Sequence, residues 1–461
     1  MYPGSHLRKF DKGKQSLYNN EAFGQEPRGR CWCSQRSSTC RAGRGREERS
    51  KTMQAKFEEY AKLLVEVGAN VQKGQNLVLS CPVDCAWFGR MCAKAAYAAG
   101  CREVIMNWVD DELTREKFLR AADEVFDTVP EWKIRFNTDY AREGAAFLHI
   151  AASDPEILKG VDQDRLVRSS RSGGAAMKEY RQLQMSNAFP WAIGAIPVPA
   201  WAKKVFPDCP EDEAMEKLWN AILSAVRVEG KGDAVQRWKE HLDTMQIRID
   251  KLNNLRLESL HYTNSLGTDL TIRLPEDHVW GGGDGVSKAG IHFIANMPTE
   301  EIFTAPLKNG IDGIVYASMP LSLNGDLVDK FHFVIKEGKI VEVHAEVGEE
   351  KLKAETTLDE GASYFGEVAL VPYDSPIRNQ ELLFYETLFD ENAACHLAFG
   401  EAYAECVKGG ENMSKDELKA HGLNDSITHV DFMVGTADLN ITGRTHDGQE
   451  VAIFTDGNFA F

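Results

Sequence analysis

The sequence contains no apolar stretch of the roughly 20 residues that a membrane-spanning helix requires. Its ten cysteines follow no spacing that is typical of a disulfide framework, and no apolar signal segment opens the chain. A cytoplasmic protein without membrane contact is therefore expected. Phosphate-binding motifs are also missing, because Gly281–Gly285 lacks the ending of a P-loop and no Gly-x-Gly-x-x-Gly turn follows Ser80. These absences argue against a nucleotide site and a dinucleotide-dependent dehydrogenase.

Basic residues are in the minority, and the 461 residues carry a net charge of −17. Residues 1–52 hold twelve Lys or Arg against five Asp or Glu, so the remaining residues carry −24. The first 52 residues also show no hydrophobic period, which predicts a disordered basic extension. A globular body with this much negative charge repels a phosphate backbone, so nucleic acid is not an expected partner.

The first part of the globular body, residues 53–250, alternates strands with helices. It begins with an amphipathic helix after Met53, and then a strand at 76–80, an alanine-rich helix at 84–99 and a strand at 102–108 follow one another. A repeated strand–helix–strand pattern predicts an α/β domain with a mainly parallel sheet.

The second part, residues 251–461, has a different pattern of predicted secondary structure. Short strands with alternating polar and apolar residues prevail, and a hairpin is predicted across Glu337-Gly338. The sequence therefore predicts a strand-rich α+β domain, with a domain boundary near residue 250.

The sequence His429-Val430-Asp431 lies within an apolar run, at residues 427–434, that predicts a strand. Residues two apart on a strand point to the same side, so both metal-competent side chains face one point. A surface strand with one His and one Asp for solubility would have the same sequence. The pair is therefore interpreted together with acidic residues and a histidine that precede it.

Two acidic segments precede this pair. Glu367 follows a glycine in an otherwise apolar strand, where an unpaired carboxylate costs several kcal/mol and requires a cation or a raised pKa. Glu300 and Glu301 follow Pro298-Thr299, and without other groups they are equally typical of the acidic first turn of a helix. Glu367 is therefore the stronger indication of a cation site.

The second histidine, His396, is predicted to lie in an alanine-rich helix that Asp390 caps, with Glu391 in the first turn. Tyr403 lies seven residues later, on the same face of such a helix. His396 alone would more often be a hydrogen-bonded core histidine. Cys395 would point elsewhere on the helix and is expected in the core.

A dinuclear metal site is the chemistry that these groups support together. They supply three carboxylates and two imidazoles, from Glu301, Glu367, His396, His429 and Asp431. Two divalent cations and a bridging hydroxide leave three positive charges, which three carboxylates neutralise. The count fits a hydrolytic site in which two metals share a carboxylate and an activated water.

At these residues the chain resembles peptidase family M29, the thermophilic-type metalloaminopeptidases. The resemblance runs through most of residues 53–461 and is concentrated in four ordered blocks, at residues 296–304, 366–371, 388–396 and 428–432. Residues 1–52 have no counterpart in the family pattern. The resemblance implies a dinuclear metal site, and the residues that it assigns as metal ligands are Glu301, Glu367, His396, His429 and Asp431. It also implies that Tyr403 lies beside them as a ligand or a catalytic group.

The function expected from this resemblance is removal of N-terminal residues from peptides that have a free N-terminus. Glu367 is the expected bridging carboxylate, Tyr403 an expected hydrogen-bond donor to the oxyanion, and Glu300 an expected proton shuttle. A homodimer is implied as well. The sequence does not distinguish among Zn, Co, Mn and Mg as the bound metal. Two alternatives also stay open: a dinuclear amidohydrolase or phosphoesterase acting on a non-peptide substrate, and a non-catalytic metal-binding protein.

Overall fold

The fold is described from a computed structural model that covers residues 52–323 and 326–461. The predicted extension, residues 1–52, lies outside the described residues except for Thr52. The first half of the described chain alternates helices with four strands. The strands are β1 (Asn76–Pro82), β2 (Glu103–Val109), β3 (Ala146–Ala151) and β4 (Trp191–Ala195). The helices are 52–63, continued by a π-helical turn at Leu64–Gly68, then Ala86–Ala98, Asp111–Arg120, Glu131–Arg142, Gln163–Ala176, Lys178–Met185, Pro199–Val205, Glu211–Ala225 and Ala234–Leu255.

The second half is rich in strands. These are β5 (Leu257–Thr263), β6 (Asp269–Arg273), β7 (Gly281–Gly282), β8 (Gly285–Val286), β9 (His292–Phe293), β10 (Asn296–Met297), β11 (Ile302–Thr304), β12 (Ile311–Tyr316), β13 (Leu321–Leu323), β14 (Asp326–Lys336), β15 (Lys339–Val347), β16 (Phe365–Leu370), β17 (His396–Gly400), β18 (His429–Met433), β19 (Asn440–Thr445), β20 (Glu450–Thr455) and β21 (Asn458–Phe459). Its α-helices are Glu349–Glu355, Thr387–Asp390 and Lys415–Ala420.

The first sheet is parallel throughout, with the strand order β10-β4-β3-β1-β2. Its interior strands are apolar on both sides because helices cover both faces, as expected for a parallel sheet. The predicted α/β architecture is therefore confirmed. One strand is contributed by the second half of the chain, since β10 pairs with β4 and then leads directly toward Glu300 and Glu301.

Two larger antiparallel sheets form the second half. The larger follows the order β13-β14-β12-β6-β5-β19-β20-β21, with β15 paired to β14, and the five-stranded one follows β18-β17-β16-β11-β7. The predicted hairpin is confirmed, because Lys336 pairs with Lys339 across Glu337-Gly338. Both turn residues have positive φ, 50° and 81°, as a two-residue hairpin turn requires.

The helix Ala234–Leu255 connects the two hydrophobic cores. Its Trp238 packs in the core of the parallel sheet, whereas Met245 packs in the core between the antiparallel sheets. The predicted domain boundary at residue 250 falls inside this helix. The division of the chain at that residue stays a prediction. Within the described residues, no helix combines the length and the apolar character needed to cross a membrane.

Candidate metal centre

The register of the five-stranded sheet directs the proposed ligands to one face. Glu367 on β16 lies opposite Ala398 on β17, which lies opposite Asp431 on β18. Directly paired residues share a face, and so do residues two apart on a strand. His396, two residues before Ala398, and His429, two residues before Asp431, therefore join the same face. The predicted strands around Glu367 and His429 are confirmed.

The opposite face of this sheet explains why the strands fold in this way. Val368, Leu397 and Phe432 are fully buried against the larger antiparallel sheet. Burial of these apolar side chains fixes the register, because a slip of one residue would move them to the face of the carboxylates and bring the charged side chains into the apolar core. The residue between Glu367 and Asp431 on this face is the small Ala398.

Two groups of potential metal donors result, each with its ligand atoms within 4.8 Å of one another. The first consists of Glu301, Glu367 and His396, and the second of Glu367, His429 and Asp431. Glu367 belongs to both groups. His396 Nε2 lies 3.1 Å from Glu301 Oε2, and His429 Nε2 lies 3.1 Å from Glu367 Oε2. The structure therefore brings together all five residues that the sequence resemblance assigned as ligands.

Backbone carbonyls orient both imidazoles. The Nδ1 of His429 lies 2.7 Å from the carbonyl oxygen of Glu401, and the Nδ1 of His396 lies 3.1 Å from that of Ala394. A carbonyl can only accept, so each Nδ1 donates its proton and the Nε2 faces the carboxylates. This is the arrangement that prepares a histidine for metal binding through Nε2.

The electrostatics of the centre show that its negative charge is poorly compensated by protein groups. Burial, together with the neighbouring Asp431 and Glu301, raises the pKa of Glu367 to about 7 against the opposing effect of His429. Burial lowers the pKa of His396, but Glu301, Asp431 and Glu367 outweigh this effect and raise it to about 10. The buried Oδ1 of Asp431 accepts no hydrogen bond among the described residues, although it lies 3.4 Å from His429 Nε2. Mixed carboxylate and imidazole donors with an unsatisfied buried oxygen fit divalent cations.

Tyr403 lies beside the second group. Its ring centroid is 4.9 Å from that of His429 and 6.0 Å from that of Phe303. Burial, reinforced by the nearby carboxylates, raises its pKa well above the usual value of 10, so the hydroxyl keeps its proton. Tyr403 is therefore available as a hydrogen-bond donor.

Glu300 is adjacent to Glu301 in sequence but belongs to neither donor group. Arg227 Nη2 lies 2.6 Å from one of its carboxylate oxygens and 2.9 Å from the other. The side chain of Glu300 is only 5% exposed, and burial raises its pKa while Arg227 lowers it. The helical alternative for this segment does not hold, since Glu300 and Glu301 lie in a connection without helical structure between β10 and β11.

The helix predicted around His396 was wrong. Helical structure ends at Ala393, and His396 opens strand β17. Tyr403 consequently reaches the centre from the loop after β17 and not from a helical face. The reason is that residues 396–400 are completely buried between two neighbouring strands, and this tertiary pairing overrides the local alanine-rich composition. Cys395 does lie in the core, as expected.

Glu391 is a functional candidate that the sequence interpretation assigned only to a helix turn. It lies on the 3₁₀ turn Glu391–Ala393, and its carboxyl interacts electrostatically with Glu301, Asp431 and His396. Burial and the neighbouring carboxylates raise its pKa well above the ordinary value. Its position five residues before His396, in a block already singled out, was the available sequence signal.

Comparison with known proteins agrees with this geometry. The family model described as thermophilic metalloprotease (M29) matches residues 53–459. The chain belongs to the M29 family. It is 46% identical over 406 residues to aminopeptidase AmpS of Bacillus subtilis (strain 168), covering 88% of this chain and 98% of the relative. It is 44% identical over 405 residues to aminopeptidase 2 of Geobacillus stearothermophilus, covering 88% and 98%.

The fold of the M29 chain also matches a solved structure. Wild-type AmpT from Thermus thermophilus superposes with a TM-score of 0.83 at 37% identity, covering 88% of this chain and 99% of that one. The two donor groups described above thus belong to a metalloprotease fold, which argues against a purely structural role for the cluster.

Proposed function

We propose that this M29 protein is a metal-dependent aminopeptidase that releases N-terminal residues from peptides at a dinuclear site. The observation that carries the proposal is the pair of donor groups joined by Glu367. Two donor groups that share one carboxylate suit two closely spaced divalent ions. The names of the aminopeptidase relatives support the reaction class.

The residues of the site take distinct roles in this proposal. Divalent ions, when bound, would supply an activated water as the nucleophile and would polarise the scissile carbonyl. Glu367 would contribute to both ion sites, Glu301 and His396 would complete one of them, and His429 and Asp431 would complete the other. The protonated hydroxyl of Tyr403 donates a hydrogen bond to the oxygen that becomes negative during attack.

A proton shuttle requires a carboxylate that is not consumed as a ligand. The sequence expectation assigned this role to Glu300, but both oxygens of Glu300 face Arg227. Glu391 lies within electrostatic reach of Glu301 and His396 and belongs to neither donor group. We therefore propose that Glu391, and not Glu300, transfers the proton.

The free N-terminus of the substrate is positively charged, and the centre is rich in carboxylates. Carboxylate oxygens that the ions leave free provide the attraction for an α-ammonium group. An N-acetylated peptide lacks that charge and should be a poor substrate. The proposal leaves the metal among Zn, Co, Mn and Mg, and it includes a homodimer in the cytoplasm, as the sequence resemblance and composition predicted.

The test is a substrate panel measured on metal-loaded and chelated protein. Aminoacyl anilides should be cleaved, whereas their N-acetylated counterparts and phosphate esters should not. Extensive chelation, verified by elemental analysis, should abolish the reaction. Turnover of phosphate esters or N-acetylated amides at comparable rates would favour the alternative hydrolases. Absence of any hydrolysis in protein with full metal content would favour a non-catalytic metal-binding protein.

A further inference from the structure

The segment that delivers Glu301 is held by a buried ion pair just before it. Arg227 follows the helix Glu211–Ala225, more than 70 residues away in sequence, and its Nη2 contacts both carboxylate oxygens of Glu300. The side chains are only 15% and 5% exposed. Charges buried to this degree require close partners, so the position of Glu300 depends on Arg227.

Arg227 is itself fixed by its surroundings. Its guanidinium lies 5.6 Å from the ring centroid of Trp238, and Nη2 lies 3.1 Å from His241 Nδ1. Both residues belong to the helix Ala234–Leu255, which connects the two cores. Arginine can only donate, so His241 Nδ1 accepts and its Nε2 carries the proton.

Two further side chains hold the backbone next to the ion pair. His241 Nε2 lies 2.8 Å from the carbonyl oxygen of Thr299 and donates to it. Asn392 Oδ1 accepts a hydrogen bond of 2.7 Å from the backbone N–H of Glu300. Asn392 is completely buried, and its amide also donates to Leu388 O at 3.1 Å. The carbonyl of residue 299 and the N–H of residue 300 are thus fixed by different elements.

We propose that Arg227, His241 and Asn392 are positioning residues that determine where Glu301 enters the metal centre. The inference rests on the proposed function, because it assumes that Glu301 holds an ion. Glu300 then serves as the anionic anchor of the segment. Side chains that orient a metal ligand typically change metal affinity 10- to 100-fold when removed.

The segment depends on these side chains because little regular structure supports it. Strand β10 ends at Met297 and β11 begins at Ile302, so Thr299 and Glu300 have no strand partners. Glu367, His429 and Asp431, in contrast, lie within paired strands. Loss of Arg227 should therefore affect the ion held by Glu301 and spare the ion held by the other group.

The experiment compares Arg227→Met with Arg165→Met in the full chain. Arg165 is a matched control, since it also combines a carboxylate partner, Asp123 at 2.6 Å, with an aromatic ring, that of Phe126, whose centroid lies 5.2 Å away. Metal-free proteins are titrated with Zn²⁺ by calorimetry. We expect Arg227→Met to weaken one of two binding events about 10- to 100-fold and Arg165→Met to change neither. Arg227→Lys, which keeps the cation but loses the fork of donors, should recover part of the affinity.

A second pair of variants covers the case in which Arg227→Met fails to fold. His241→Gln keeps a donor for the Thr299 carbonyl, whereas His241→Phe keeps a flat ring but loses the donor. The phenylalanine variant alone should weaken the same single binding event. Wild-type binding at both positions in Arg227→Met or His241→Phe would overturn the proposal, as would equal weakening of both events. Failure of the wild-type protein to bind any ion would instead refute the proposed function.

Discussion

The metal centre has two ends, one with Glu301 and the other with His429 and Asp431, and different contacts hold each of them in place. His429 and Asp431 lie two residues apart on β18, and the pairing of β18 with β17 alone directs them to one side. Glu301 lies outside the strands and depends on distant side chains, Arg227 among them, that hold the preceding residues. Backbone pairing tolerates many side-chain changes, whereas a side-chain network does not. Substitutions outside the ligand set should therefore matter more at the Glu301 end.

Glu367 joins the two ends, so its substitution should have the largest effect. Glu367→Gln keeps the shape of the side chain but removes the charge that both donor groups share. We expect turnover to fall to the level of metal-free protein, with loss of bound metal, because two cations then remain underneutralised. Elemental analysis and anilide hydrolysis check this. Two tightly held ions with near-normal turnover would remove Glu367 from the centre.

Tyr403→Phe should give the next largest effect. The ring contacts with His429 and Phe303 are retained, so metal content should stay unchanged. Loss of the hydroxyl should lower kcat ~100- to 1,000-fold, which is typical of a lost donor to a developing oxyanion. Steady-state kinetics at saturating metal measure the change. An unchanged kcat would show that Tyr403 does not act on the reaction.

Gly282→Ala tests the Glu301 end without touching a ligand. Gly282 has a φ of 136°, and a Cβ there would collide with the carbonyl oxygen of Glu301. The required shift should weaken the ion held by Glu301 by ~10-fold, in the range for groups that orient ligands. Gly290→Ala is the control, because Gly290 has a φ of 77° with open space around its Cβ position. Equal metal binding by the two variants would contradict the predicted sensitivity.

Val430→Ala is the corresponding change at the other end. Val430 lies between His429 and Asp431, and its partly buried side chain packs against the core on the opposite face. The loss of two methyl groups should reduce the free energy of unfolding by about 1 kcal/mol, while the backbone pairing and the metal affinity stay unchanged. Denaturant unfolding and calorimetry separate the two quantities. Weakened metal binding in this variant would show that β18 needs more than backbone pairing.

Removal of residues 1–52 should have the smallest effect. The M29 family match begins at residue 53, and the sequence of the extension has no hydrophobic period. A chain that starts at Met53 should keep its folding, metal content and turnover. Loss of soluble protein would show that the globular domain begins earlier than predicted.

The same difference between local and distant contacts explains how much the sequence could predict. Strands β1 to β4 of the parallel sheet follow from local patterns, because each strand and helix has its own hydrophobic period, whereas β10 joins the sheet from the second half of the chain. Local sequence patterns also predict the strand of His429 and Asp431 and the hairpin at Glu337-Gly338. His396 was placed in a helix because an alanine-rich composition cannot indicate that residues 396–400 insert between two distant strands.

Other features of the centre have no local sequence signal. Nothing near Glu300 indicates a partner at Arg227, and nothing near Asn392 indicates that it binds the backbone of Glu300. Such pairs arise only when separate elements meet in the fold. The approach of Glu391 to the carboxylates likewise depends on the turn that replaces the predicted helix. The resemblance to the M29 family indicated the proposed ligands, but not the residues that hold them in place.

The proposed dinuclear site requires two ions per chain that share Glu367. The most direct measurement adds Zn²⁺ stepwise to metal-free protein and follows bound metal and anilide hydrolysis in the same samples. We expect full turnover to be reached at two ions per chain, and we expect Glu367→Gln to reach neither that metal content nor that rate. Full turnover with one ion per chain, or without metal, would contradict the dinuclear assignment.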